Sequence, residues 1–138
     1  MESGGDTATV TVNNSNIDNN AVQTESANGG AFTFGGGLAD DDTVTLHHTD
    51  VSGNSGTATG AFGLAQGGGI ANADYDNRTP YLTVISSRLT NNTLTGSPGF
   101  SVLGGGLFTA HPLALTPIPA TIINAQITGN QPNQCFGC

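Results

Sequence analysis

Gly35-Gly36-Gly37-Leu38 returns as Gly67-Gly68-Gly69-Ile70 and as Gly104-Gly105-Gly106-Leu107. Shortly before each run stands a Phe-led segment: Phe32-Thr33-Phe34, Phe62-Gly63-Leu64 and Phe100-Ser101-Val102. A second phrase alternates with the first. Thr9-Val10-Thr11-Val12, Thr43-Val44-Thr45-Leu46, Leu82-Thr83-Val84 and Ala120-Thr121-Ile122 are β-branched and alternating, which is a strand signal. Five residues after each comes an apolar residue (Ile17, Val51, Leu89, Ile127), and three later an asparagine (Asn20, Asn54, Asn92, Asn130). The asparagines are 34, 38 and 38 residues apart. Phrases that return in fixed order with variable gaps are the mark of a repeat architecture.

One phrase pair per coil of a parallel β-solenoid accounts for this order. Equivalent residues then stack at roughly 4.8 Å. Val12, Leu46, Val84 and Ile122 are expected to form one inward ladder, and Ile17, Val51, Leu89 and Ile127 a second. Phe32, Phe62 and Phe100 are expected to form a third. Asn20, Asn54, Asn92 and Asn130 should stack as an amide ladder. Gly36, Gly68 and Gly105, the centres of the three runs, are expected at tight corners with positive φ or close backbone approach. Residues 1–8 read as a polar lead-in and 9–138 as one domain, with coils near 9–40, 41–80, 81–117 and 118–138. The segments 21–30, 55–60, 71–80, 93–98 and 108–117 are rich in Asn, Gly, Ser, Asp and Pro and read as turns and excursions. An antiparallel sandwich of short strands is the competing architecture, but it leaves the recurrence unexplained. No stretch shows a useful 3.6-residue apolar period, so no helix is predicted.

Composition bounds the partners. The chain carries a net charge of −8 with only Arg78 and Arg88 as basic residues. Phosphate backbones are held by Lys and Arg, so nucleic acid is excluded as a partner, and an anionic membrane surface with it. No apolar run approaches the ~20 residues of a membrane-crossing helix, so no membrane insertion is expected. Met1-Glu2-Ser3-Gly4-Gly5 is polar and acidic, unlike a signal peptide.

The order TVTLHHTDVSGN…GGGI and LTVISSRLTNN…GGGL resembles the repeats of right-handed parallel β-helix proteins. Among these it is most similar to the polymorphic outer-membrane protein type, with its Gly-Gly-Ala/Gly-Ile and apolar-x-x-Asn motifs. The ending Ile127-Thr128-Gly129-Asn130-Gln131-Pro132-Asn133-Gln134-Cys135 is similar to the last coil of secreted bacterial members. The resemblance implies an extracellular or cell-surface protein with structural, adhesive or assembly roles, meeting a surface glycan or a protein receptor. The units here are longer than usual and the chain is short for that family.

Several groups are candidates for chemistry. Asp40, Asp41, Asp42, Asp74 and Asp76 fall in loops of successive coils and form a candidate Ca²⁺ set, since Ca²⁺ takes oxygen ligands; the bland alternative is a solvated turn. The same carboxylates raise an alternative function, a polysaccharide lyase or hydrolase, which needs an acid and a base about 5–9 Å apart. His47 and His48 stand beside Asp50, but neighbours on a strand point to opposite faces and share a metal only across a turn. Thr11, Thr45, Thr83 and Thr121 should make an outward row, the basis of an ice-binding alternative, with a flanking row only half kept by Thr9, Thr43, Tyr81 and Pro119. Cys135 and Cys138 form a terminal C-x-x-C lacking the helix start of a redox motif or four zinc ligands, so a small disulfide loop is expected. The expected partner surface is the edge of the first coil, through self-association or a preceding domain, with the C-terminal end blunt.

Overall fold

Parallel pairing at coil spacing is the architecture observed. The computed structural model describes residues 8–75 and 78–138. Among these residues there is no helix, and the strands wind as a parallel β-solenoid of three turns and a partial fourth. The first turn holds β1 (Thr9–Asn13), β2 (Asn16–Asp18), β3 (Ala21–Glu25), β4 (Gly30–Phe34) and β5 (Leu38–Asp40). The second holds β6 (Thr43–His47), β7 (Asp50–Ser52), β8 (Ser55–Thr59), β9 (Phe62–Gln66) and β10 (Ile70–Asn72). The third holds β11 (Tyr81–Ile85), β12 (Arg88–Thr90), β13 (Thr93–Gly96), β14 (Ser101–Leu103) and β15 (Leu107–Thr109). The chain closes with β16 (Ala120–Ile123), β17 (Gln126–Thr128) and β18 (Cys135–Phe136). Strands at the same place in successive turns pair, giving five ladders: β1-β6-β11-β16, β2-β7-β12-β17, β3-β8-β13, β4-β9-β14 and β5-β10-β15-β18.

The main core follows from the strand alternation. Val12, Leu46, Val84 and Ile122 stack in register, as do Ile17, Val51, Leu89 and Ile127. Opposite them lies Leu38, Ile70 and Leu107, with Cys135 continuing the stack. Interior members of these stacks are fully buried, each stabilising the fold by about 1.5–3 kcal/mol. The outward Thr11, Thr45, Thr83 and Thr121 stand in one row as read.

Two expectations need correction. Segments 21–30, 55–60 and 93–98 are not simply excursions, since they contain β3, β8 and β13. The inward residues of β8 are Gly56 and Ala58, too weakly apolar to announce a strand. The Phe ladder is the second correction. Phe32 pairs with Leu64 rather than Phe62, Phe62 pairs with Gly30, and Phe100 lies ahead of β14. Phe32 and Phe62 point outward, 46% and 61% exposed. The interior there is thin: Thr33 and Leu94 already stand where a side chain on Gly56 would go, and the inward places of β4 and β9 fall to Ala31, Thr33 and Ala65.

The asparagine ladder is present and explains the glycine runs. Asn54 Oδ1 accepts both the backbone N–H and the side-chain Nδ2–H of Asn20, at 3.0 Å each. Asn92 does the same for Asn54, and Asn130 for Asn92. The other amide proton of each goes to a carbonyl of the turn before: Asn54 to Ile17, Asn92 to Val51, Asn130 to Leu89. No fifth asparagine continues the ladder: Asn133 Oδ1 accepts instead from Gly104 N and Gly105 N. Gln134 Oε1 takes the fifth place, accepting from Asn130 N and Nδ2 at 3.1 Å.

In the middle run, Gly67 takes the left-handed corner (φ 73°). A Cβ on Gly68 would collide with the carbonyl oxygens of Gly105 and Thr93. One on Gly69 would sit 2.8 Å from Asn92 Nδ2. The first glycine thus makes the turn, the second permits backbone approach, and the third makes room for the amide. Gly36 and Gly105 are confined as Gly68 is, by the carbonyls of Gly68 and Gln131.

The other corners use left-handed residues in matching places. Asn14, His48, Ser86 and Asn124 have φ of 48–50°. Cys135 and Cys138 are joined by a disulfide, and the Phe136 ring stacks on Phe108 at 5.5 Å. This last segment covers β15, and Gln131 just before it bridges Thr93 at the start of β13. β16 and β17 have no strand beyond them among the described residues, so the C-terminal end is only partly blunt. Of the lead-in, residues 1–7 lie outside the described residues. Ala8 is tied to the second turn, its N–H donating to Asp42 Oδ2 at 3.1 Å and its carbonyl accepting from Thr43 N.

Candidate functional site

Two neighbouring phenylalanines on the outside of β4 begin the site. Phe32 and Phe34 are two apart on one strand and therefore share a face. With Leu64 of β9 they line one side of a groove. Two excursions from the next ladder make the other side. Residues 73–80, after β10, bring Asp74 and Tyr75; residues 110–119, after β15, bring His111 and Pro112. The second excursion is tied down by an antiparallel bridge between Ala110 and Pro117 and by Gln66 Nε2, which donates to Pro112 O at 2.7 Å. Asp74 Oδ2 meets His111 Nδ1 at 3.1 Å and fastens one excursion to the other.

The groove has a volume of about 400 Å³, within the ~300–1,000 Å³ of small-ligand sites. The Tyr75 ring stands edge-to-face with Phe34, centroids 4.7 Å apart. Burial of the phenol, helped by the nearby Asp41 charge, pushes the Tyr75 hydroxyl above its ordinary range. It therefore stays protonated and able to donate. The side chain of Asp74 is 10% exposed, and its Oδ1 is buried without a hydrogen-bond partner. Aromatic faces beside a carboxylate form a surface that can stack against C–H groups and accept from O–H or N–H donors.

The predicted Asp set is dispersed. Asp40 lies in ladder register with Asn72, and Oδ1 accepts the Asp42 N–H at 3.0 Å. Burial raises the Asp40 pKa, opposed by the Asp42 N–H bond and reinforced by the charges of Asp41 and Asp42. Asp42 pairs with Arg78 at 3.5 Å, and Asp74 with His111. Asp76 lies outside the described residues. Among the described residues, no three His, Cys, Asp or Glu side chains gather as a metal would require.

His47 ends β6 and His48 occupies the left-handed corner, so the turn needed to bring the rings together is there, with centroids 4.1 Å apart. Asp50, beside them, is held by Arg88 at 2.5 Å. A smaller hollow of about 330 Å³ lies here, lined by His48, Asp50 and Arg88 among others. On the Thr face, Tyr81 interrupts the flanking Thr9–Thr43 row.

Sequence reasoning missed the aromatic groove, having assigned Phe32 to the core and left Tyr75 and His111 aside. The available signal was Phe32-Thr33-Phe34 itself: two aromatics on one face of a strand whose other face carries only Ala31 and Thr33. No family model matches the chain, and neither a curated protein nor a solved structure does.

Proposed function

We propose that this chain is a non-enzymatic, secreted or surface-displayed β-solenoid that acts as an adhesive module, holding a glycan in its lateral groove. The observation that carries the reading is the groove: Phe32, Phe34 and Tyr75 line it with aromatic surface for the C–H side of a sugar, and the Asp74–His111 pair stands beside them for its polar side. The strand wall supports it: Phe32, Phe34 and Leu64 are held by the β4–β9 ladder, and groups on regular elements hold their geometry better than groups on loops. The disulfide between Cys135 and Cys138 fits an oxidising compartment, and the resemblance to surface-displayed β-helix repeats points the same way.

The Asp74–His111 pair gives the enzyme alternative its one specific support. Hydrolysis of a glycosidic bond, however, takes two carboxyl groups about 5–9.5 Å apart across the sugar. Among the described residues lining the groove, Asp74 is the sole carboxylate. Binding without cleavage is therefore the better reading.

Retention on immobilised neutral, acidic and amino polysaccharides tests it. The parent should be retained on one of these classes, and Phe32→Ala should lose at least about tenfold in affinity, the equivalent of ~1.4 kcal/mol, at an unchanged melting temperature. Soluble polymer incubated with the protein should keep its chain length. Retention on none of the classes would overturn the proposal. Chain shortening abolished by Asp74→Asn would replace it with the enzyme reading.

A further inference from the structure

Asn28-Gly29 is the one Asn-Gly pair in the sequence, and it lies in the turn between β3 and β4. A glycine has no Cβ to shield its own backbone nitrogen, so that nitrogen can reach the side-chain carbonyl carbon of the asparagine before it. Ala27 and Asn28 are both exposed. By contrast Asn54 and Asn92, which precede Ser55 and Thr93, are buried with their amides held in the ladder.

The turn is pinned at both ends to the second turn of the solenoid. Ser26 N donates to Thr59 O at 2.9 Å, and Ala61 N donates to Gly29 O at 3.1 Å. Within it, the Gly29 N–H donates to Ser26 Oγ at 3.0 Å. This is the nitrogen placed to attack Asn28. To do so it must give up that hydrogen bond and then its proton.

We propose that Asn28 is a site of spontaneous backbone modification, and that the Ser26 hydroxyl sets its rate by occupying the Gly29 nitrogen. Water is the only other reactant. Gly29 N bonds to Asn28 Cγ, the Cγ–Nδ2 bond breaks, and ammonia leaves with the proton from Gly29, closing a five-membered succinimide. Water then opens the ring at either carbonyl. Opening at Cγ gives an aspartyl chain with the main-chain path unaltered. Opening at the backbone carbonyl gives an isoaspartyl chain, whose path runs through Cβ and Cγ and is one carbon longer. The chain just beyond has little slack, since a Cβ on Gly30 would lie 2.6 Å from the Phe62 ring and 2.7 Å from the Phe32 ring. Those rings meet edge to face, centroids 6.4 Å apart. Lengthening here shifts the start of β4, and Phe32 with it. This chemistry goes forward whatever the groove holds.

The test is to age the intact chain in neutral buffer and map its peptides by mass, with fragmentation that separates aspartate from isoaspartate. Asn28 is expected to convert ahead of every other asparagine, and faster as pH rises, because the attacking nitrogen must lose its proton. Ser26→Ala should convert about two- to tenfold faster, one hydrogen bond expressed as a rate. Ser26→Thr, which keeps a hydroxyl acceptor, should stay near the parent. Unfolding the parent in urea frees the same nitrogen and should reach at least the Ser26→Ala rate, so the brake is also read without a variant. Asn28→Asp supplies the aspartyl product directly and should keep the parent's melting temperature, whereas the aged isoaspartyl fraction should melt lower. No conversion at Asn28, or another asparagine converting first, would overturn the site. Equal rates for the parent, Ser26→Ala and the unfolded chain would overturn the brake. An isoaspartyl fraction that melts with the parent would overturn the shift of β4.

Discussion

Asn92 is fully buried and makes more contacts of consequence than its size suggests. Its Oδ1 accepts from Asn54 N and Nδ2, and its Nδ2 donates to Val51 O and Asn130 Oδ1. Asn92→Ala removes the partner of three groups on two residues, Asn54 N, Asn54 Nδ2 and Val51 O, while Asn130 Oδ1 keeps the backbone N–H of residue 92; each group left unsatisfied costs ~1–3 kcal/mol. The expected loss is therefore at least ~3 kcal/mol, read as a lowered urea midpoint, against no measurable change for Asn28→Ala at an exposed turn; equal midpoints would count against the ladder. Asn77, the natural comparison from sequence, lies outside the described residues. Asp40 behaves in the opposite sense. It is 6% exposed, its Oδ2 has no partner, and the same is true of Oδ1 of its ladder neighbour Asn72. Asn72 is not free to turn over: its Nδ2 donates to Thr109 Oγ1, whose own proton goes to Ile118 O. Because burial raises the folded-state pKa of Asp40, its contribution to stability is fully present below the unfolded carboxylate range. That contribution is lost as pH rises through the raised value. Asp40→Asn removes the charge and supplies a donor toward Asn72. It should stabilise the fold at neutral pH by ~1 kcal/mol and gain progressively less as the pH falls toward 4, as denaturant midpoints across that range would show.

At the scale of the element, the strand–corner–strand unit is governed by what each corner must admit. Gly68 has ordinary φ, yet a methyl there would enter the carbonyls of Gly105 and Thr93. Gly99 has φ 88° but open space around it. Gly68→Ala is thus expected to cost more than ~3 kcal/mol through forced backbone movement, whereas Gly99→Ala should cost only the ~1–2 kcal/mol of a left-handed side chain. Thermal melts of the two variants distinguish steric approach from backbone strain; a Gly68→Ala melt no lower than that of Gly99→Ala would show the runs to be loose linkers. The same comparison explains what could be read in advance. β1, β6, β11 and β16 were legible because Val, Leu and Ile alternate with Thr, and the Asn positions because each stands three residues after its apolar partner Ile17, Val51, Leu89 or Ile127. β3, β8 and β13 were not, because a thin interior asks for Gly56 and Ala58, and small residues carry no alternation. The Phe register failed for the same reason. A rule that sends aromatics inward assumes a cavity large enough for them, and here Ala31, Thr33 and Ala65 already fill it. The groove was beyond reach because it joins β4 to excursions about 40 and 80 residues further on, a proximity created by winding.

For the whole molecule, stability is shared between neighbouring turns, and the ends differ from the middle. At the N-terminal end β1 to β5 have no preceding strands among the described residues, and Val10 and Val22 are 48% and 37% exposed. Ala8 and Asn14 direct their backbone groups toward the second turn; by the two-residue period, the N–H of Thr11 faces the open edge. Proline at Thr11 therefore blocks that edge without removing a ladder bond. The chain is expected to associate as its concentration rises, and Thr11→Pro should hold it monomeric with little loss of stability; light scattering coupled to size exclusion reads both. A parent that stays monomeric throughout would set the open edge aside as a contact surface. The last feature to weigh is Gln134. Each asparagine in the column hands its backbone proton and one amide proton to the next side-chain oxygen along, so the column has a direction, like a sentence read one way. Gln134 is its full stop: a side chain one methylene longer, arriving from only four residues downstream, says what a whole further coil would otherwise have had to say. A coil inserted before Asn130 would leave that ending intact, whereas one that displaced Gln134 would have to bring another acceptor for Asn130 N and Nδ2.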